Sequence, residues 1–265
     1  MLEVIYVVRH AFRANWTVNP ITGEYNSTIT SPTGIPTDPP LAAHGVEQSN
    51  ELAKHLCSLD PPIDVVYSSP FYRCLQTLKP ATDKLFSNGL AGSRIRIDTG
   101  LGEFYGRADF NHPTPPTVGV LSPFFNYLDY DYISVSAPTP NGETIQELHD
   151  RVGFTLNRII SALDEDPAQP KALLICTHAA TMIAIGRMLT GNMPEDPDTD
   201  DFQCFTASLS KFTRQSSEAV GSWNCVINSE TAFLSGGAER GWKFNGEESF
   251  IQLPHVVVEA KGARL

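Results

Sequence analysis

The chain has 265 residues, 41% hydrophobic and 9% aromatic, enough to bury a large core without help from disulfides. Its 19 basic and 30 acidic residues give a net charge of -11, which disfavours direct binding to nucleic acid, and no apolar run approaches the roughly 18 residues of a membrane span. Five widely spaced cysteines (Cys57, Cys74, Cys176, Cys204, Cys225), none in a Cys-x-x-Cys pair, imply neither a disulfide framework nor a zinc site. Glu3 and the early Arg9-His10 are unlike a secretory signal, so a cytoplasmic or nuclear protein is expected, and Asn15-Trp-Thr and Asn26-Ser-Thr carry little weight as glycosylation sites. The terminal Ala-Arg-Leu loosely fits a peroxisomal address.

Leu2 to Val8 is a β-branched, mostly apolar run that stops at Arg9-His10, the pattern of a buried strand ending at a site. Thr17 to Pro40, rich in Pro, Gly, Thr and Ser, predicts a surface loop. Leu52, Leu56 and Leu59 mark a helix over His44 to Leu59, stopped by Pro61-Pro62. Ile63 to Tyr67 repeats the strand pattern, and Ser69-Pro70 opens a helix through Leu85. An extended segment from Ser93 to Thr99 leads to Gly102-Glu103-Phe104 and a Pro-rich loop reaching Pro123. Thr144 to Leu163 is an amphipathic helix, Lys171 to Cys176 a buried strand, and Ala179 to Leu189 a further helix. Ala207 to Phe212, Trp223 to Ile227 and Trp242 to Phe244 look strand-like, and no linker precedes them. One domain over residues 1–265, elaborated beyond about residue 200, is therefore expected.

Alternating strands and helices predict a three-layer αβα sandwich with a mostly parallel sheet, in which ligands bind beyond the carboxyl ends of the strands. Three polar clusters follow predicted strands: Arg9-His10 with Arg13, Ser69-Pro70 with Arg73, and Thr177-His178. Phosphoryl transfer needs cationic donors around the equatorial oxygens and an in-line nucleophile, and three arginines with two histidines supply both. His10 is expected at the surface, where its removal leaves the fold intact. No carboxylate and histidine grouping with metal-ligand spacing is visible, so neither metal nor cofactor is expected.

Arg9-His10-Ala11, Pro40-Leu-Ala-Ala-His-Gly45-Val-Glu-Gln48, Ser69-Pro-Phe-Tyr-Arg73-Cys-Leu-Gln-Thr77, Gly102-Glu103-Phe104, Gly142-Glu143-Thr144 and Thr177-His178-Ala179 together resemble the histidine phosphatase superfamily, which has the phosphoglycerate-mutase-like fold. The resemblance covers roughly residues 2 to 190. Arg-His-x-x-Arg-x-Asn-Trp, Ser-Pro-Phe-Tyr-Arg-Cys-Leu and the late Phe233-Leu-Ser-Gly-Gly-Ala-Glu-Arg-Gly-Trp242 further resemble the histidine-phosphatase-like subunits of fungal transcription factor IIIC.

The resemblance implies that His10 is a nucleophile forming a phosphohistidine, that Arg9, Arg13, Arg73 and His178 bind the phosphoryl group, and that Glu103 is the general acid. It implies a phosphorylated small molecule or phosphopeptide as substrate, and other transcription factor IIIC subunits as partners. Two departures stand out. Ala11 replaces the family's glycine after the nucleophile, harmless only where φ is negative. Trp16 replaces an asparagine of the mutase branch, which favours hydrolysis over mutase chemistry.

Phe12, Trp16, Phe71, Tyr72, Phe104 and Tyr105 flank these positions and suit phosphotyrosine or an aryl phosphate, or else pack the core. His149-Asp150 reads as a solvated helical pair, His44 and His55 as solvent-facing or capping residues, and Glu195 to Asp201 as a loop. Glu143 either caps a helix or supports the active-site arginines.

Overall fold

The computed structural model describes residues 1–87, 94–247 and 249. In chain order the elements are β1 (Val4–Arg9), β2 (Trp16–Val18), β3 (Tyr25–Ser27), α1 (Ala43–Leu56), β4 (Val65–Ser68), α2 (Tyr72–Ser87), β5 (Ile95–Ile97), a 3-10 turn (Thr99–Leu101), α3 (Val118–Leu121), α4 (Ile145–Glu165), β6 (Ala172–Thr177), α5 (Ala179–Thr190), β7 (Leu209–Arg214) and β8 (Trp223–Glu230). One six-stranded sheet has the order β5-β4-β6-β1-β7-β8. Its first four strands are parallel, while β7 runs antiparallel to β1 and β8 antiparallel to β7.

Strands buried on both faces explain the near-continuous apolar runs of β1 and β6. Val4, Tyr6 and Val8 point to one core with Leu52 and Leu56 of α1 and Leu75 and Leu78 of α2. Ile5 and Val7 point to the other, with Leu148, Val152 and Leu156 of α4 and Ile183 and Leu189 of α5. The result is the expected mostly parallel sheet covered by helices on both sides. The helix α4 begins where Thr144 accepts from the Glu147 backbone N–H and Glu147 accepts from the Thr144 backbone N–H, a complete capping box. At the far end of α5, Gly191 takes φ +72°, the left-handed conformation that stops a helix.

Three segments differ from expectation. The predicted loop from Thr17 to Pro40 includes all of β3 and most of β2, which pair as a small antiparallel hairpin. The Pro-rich region contains the single turn α3. Trp242 to Phe244 forms no strand: Trp242 instead packs on Phe244, ring centroids 4.9 Å apart, and Phe244 is buried. Ser93 and the terminal Ala-Arg-Leu lie outside the described residues. Among the described residues, no helix is long and apolar enough to cross a membrane.

The sheet register brings the three polar clusters to one end of the sheet. Arg9 pairs with Thr177, and Ser68 with Cys176, so three neighbouring parallel strands end at one level. The next residues are His10, His178 and Ser69.

Candidate active site

The ladder continues one step past the strands. The His10 backbone N–H donates to the Thr177 carbonyl, and that of Ser69 to the Cys176 carbonyl, each at 2.9 Å. This fixes the His10 backbone, and its ring centroid lies 5.3 Å from that of His178. His10 is only 2% exposed, so it is not the surface imidazole expected from its place at a strand end; the loops crossing that end cover it. Its Nδ1 lies 2.8 Å from the Ala11 carbonyl. A carbonyl only accepts, so Nδ1 holds the proton and the Nε2 lone pair is left for chemistry. Burial, then the neighbouring charges of Arg73, His178, Arg9 and Arg13, push His10 well below the usual histidine range, which keeps the ring neutral.

Glu103 sits opposite in a dense polar cluster. Its Oε2 accepts from Arg73 Nη2 at 2.9 Å and lies 3.2 Å from His178 Nδ1. Arg73 is fully buried and also donates through Nη1 to the Thr37 carbonyl at 2.8 Å and to Asp38 Oδ1 at 3.3 Å. His178 Nε2 lies 2.7 Å from Ser69 Oγ. Burial alone would raise the Glu103 carboxyl, but His178 and Arg73 outweigh it and hold the group well below the usual carboxylate range. Burial alone would lower His178, and Cys74 and then Glu103 beside it reverse that.

Arg9, His10, Arg13 and Glu103 line one cavity of about 160 Å³, with Trp16, Tyr25, Phe104, Tyr105 and Trp242 around them. Arg9 is anchored by Nη1 to the Cys204 and Arg240 carbonyls at 2.6 and 2.5 Å, and burial is the main force lowering its pKa. Arg13 lies 5.5 Å over the Trp16 ring, and burial, aided by Arg73, pushes it down to about 10. Arg73 and His178 belong to the same cluster but stand behind Glu103, fully buried, and do not line the cavity.

Ala11 is not among the four non-glycine residues with positive φ found among the described residues, so its Cβ is accommodated without strain. His10, Glu103 and His178 do bring one ligand-type atom each to within 4.8 Å of the others, a grouping the spacing did not reveal. The guanidinium of Arg73 bonded to Glu103, with Arg9 and Arg13 close by, makes this a poor cation site.

Asp38, Tyr25, Trp242 and the carbonyl of Arg240 escaped the sequence reading. Asp38 follows Thr37 in an irregular loop, and Tyr25 lies in a three-residue strand. Trp242 falls inside the late Gly-Gly-Ala-Glu-Arg-Gly-Trp run, the one signal that pointed to it.

The remaining candidates are structural. Glu143 is buried and holds Arg151 through two 2.7 Å hydrogen bonds, not the active-site arginines. His149 is buried against Phe244 and not solvated. His44 lies 2.7 Å from Glu239, and His55 stacks on Phe233. In the acidic loop Asp201 binds Arg187. Of the flanking aromatics, Phe71 is core, Tyr72 packs on Phe124 and Phe125, and Phe12 lies beneath Arg240.

The family model described as the histidine phosphatase superfamily (branch 1) matches residues 5–225. The transcription factor tau 55 kDa subunit of Saccharomyces cerevisiae is 31% identical over 92% of this chain and 59% of its own length. The ecdysteroid-phosphate phosphatase of Drosophila melanogaster is 28% identical over 72% of this chain and 27% of its own. The chain thus spans less than two thirds of either relative. Among solved structures, the ecdysone phosphate phosphatase from Bombix mori in complex with tungstate has a TM-score of 0.63 at 16% identity, covering 90% of this chain and 97% of that one. A mycobacterial glucosyl-3-phosphoglycerate phosphatase has a TM-score of 0.55 at 16% identity, covering 87% and 100%. Both likenesses are of fold.

Proposed function

Because the chain belongs to the histidine phosphatase superfamily, we propose that it is a metal-independent phosphomonoester hydrolase working through a phosphohistidine at His10. His10 carries this reading: a neutral ring, its Nδ1 proton fixed on the Ala11 carbonyl, presents Nε2 to a cavity shared with two guanidinium groups. Nε2 attacks phosphorus, the ester P–O bond breaks, and the leaving oxygen takes a proton from Glu103. Water, giving a proton back to Glu103, then attacks the phosphohistidine; the P–N bond breaks and neutral His10 returns.

Arg9 and Arg13 hold the phosphoryl oxygens on entry. Arg73 and His178 join them as the Glu103 carboxylate gives up its contacts to both. Trp16, Tyr25, Phe104 and Tyr105 around the cavity suit phosphotyrosine or an aryl phosphate.

His10→Ala tests the mechanism. Turnover and acid-labile phosphoenzyme should both vanish, and equal turnover by mutant and parent would remove His10 as the nucleophile. Turnover should also persist in excess chelator; loss restored by zinc or magnesium would overturn metal independence.

A second reading, compatible with the first, is an interaction module in a transcription factor IIIC assembly, placing the chain in the nucleus. It is favoured by the yeast tau subunit's 31% identity over 92% of the chain. Co-purification with other subunits of that factor, unchanged by His10→Ala, would support it, and its absence would count against it.

A further inference from the structure

A second and larger cavity, about 390 Å³, lies beside the catalytic one, and Glu103 and Tyr105 line both. Its walls are stiff and apolar. Pro113, Pro115 and Pro116 come from one segment and Pro138 and Pro140 from another, so the cavity is largely formed before anything enters it. Among the described residues, no lysine or arginine lines it.

Several of its polar side chains are already engaged. Tyr132 donates to Asp98 Oδ2 at 2.6 Å, Ser134 to the Ile97 carbonyl at 3.2 Å and Thr99 to the Ser136 carbonyl at 2.5 Å. His112 Nε2 lies 2.9 Å from the Gly106 carbonyl and Nδ1 2.5 Å from the Tyr25 hydroxyl. The carbonyl must accept from Nε2, and burial holds the ring below the usual histidine range, so it is neutral and Nδ1 accepts from Tyr25.

The geometry of the reaction selects this cavity. In an in-line displacement the leaving oxygen departs on the side opposite the nucleophile. His10 lines only the smaller cavity, whereas Glu103, which meets the leaving oxygen, stands where the two adjoin. We infer that the 390 Å³ cavity receives the leaving alcohol of the substrate, and that this alcohol is bulky, apolar and uncharged, of fused-ring size. A carboxylate there would lose its hydration among apolar walls, with no lysine or arginine in the lining to pair with it. The inference rests on the phosphatase reading above and extends it to the class of ester cleaved.

Phenyl, 2-naphthyl and 3-carboxyphenyl phosphate test it, since the first two have similar leaving groups and differ mainly in apolar area. The wild-type chain should favour the naphthyl ester over the phenyl ester by about tenfold in kcat/KM, from the extra ring buried. The carboxyphenyl ester should be poorer than the phenyl ester. Ala137 lines the cavity and is exposed, so Ala137→Trp narrows the space without disturbing the core. It should bring the naphthyl-to-phenyl ratio close to one.

Binding of 2-naphthol, followed by its fluorescence, reads the cavity without turnover. It should persist in His10→Ala and weaken in Ala137→Trp. No saturable naphthol binding, or a naphthyl preference undiminished in Ala137→Trp, overturns the inference while leaving the phosphatase reading in place. Naphthol binding without hydrolysis of any ester refutes the phosphatase reading and supports the ligand class.

Discussion

In the free protein the Glu103 carboxylate occupies the contacts that Arg73 and His178 would offer to a phosphate, and those two groups keep it ionised. A carboxyl free in water has a pKa of about 4.3, so at neutral pH Glu103 acquires a proton only when bound phosphate offsets its cations. Turnover should therefore fall as pH rises above neutral. His10 adds no acid-side loss near pH 6.5, because its depressed pKa keeps it neutral on both sides of that value. Glu103→Gln should slow alkyl phosphates by about a hundredfold or more, while slowing p-nitrophenyl phosphate much less, since its leaving group needs little protonation. An equal loss on both would withdraw the proton-donor role. Arg9, His10, Arg13, Arg73, Glu103 and His178 were all legible as candidates because each follows a strand or stands in a short motif. The burial of His10, Arg73 and His178 was not. Arg73 meets Asp38 and Glu103 across 35 and 30 residues of chain, contacts that no local pattern encodes.

At the level of elements, α1 is what steadies the segment after His10. The Ala42 N–H donates to the Phe12 carbonyl at 3.0 Å, Gln48 accepts from the Phe12 N–H at 2.9 Å, and Arg13 bridges to Leu41. The helix comes this close because Gly45 has no side chain; a Cβ there would stand 2.0 Å from the Phe12 carbonyl oxygen. Gly45→Ala must push the two apart. About 1–3 kcal/mol of stability should be lost in a denaturant titration, with a higher KM as Arg13 is displaced and a smaller change in kcat. Phosphate affinity equal to the parent's would separate α1 from the site. The strands that end at the site were visible as apolar runs, as were the helices by their leucine spacing. The β2–β3 hairpin was not, because three-residue strands such as Trp16–Val18 are too short to show a period. Trp242 to Phe244 misled for the opposite reason: its alternation resembles a strand, but both aromatics pack inward and no neighbouring strand pairs with it.

For the molecule as a whole, the net charge of -11 is sharpened by how its cations are used. Arg73, Arg151, Arg187 and Arg214 are each buried against a carboxylate, so these four add no positive surface for a polyanion. Fluorescence anisotropy with duplex DNA at physiological salt should give at most non-specific affinity, a Kd of about 10⁻⁴ M or weaker. Tight binding would contradict an electrostatic reading already legible in the composition.

His10 and His178 extend adjacent strands whose register is fixed from Val4–Ala172 to Arg9–Thr177, whereas the walls of the larger cavity come mostly from loops outside that ladder. Adding or deleting one residue in β1 would turn its side chains to the opposite face and dismantle the chemistry. Changes among residues 113–117 or 137–140 would leave the ladder untouched. On the phosphatase reading proposed above, substitutions in these two loops would exchange one leaving alcohol for another, while the ladder would keep the phosphoryl-transfer groups in place.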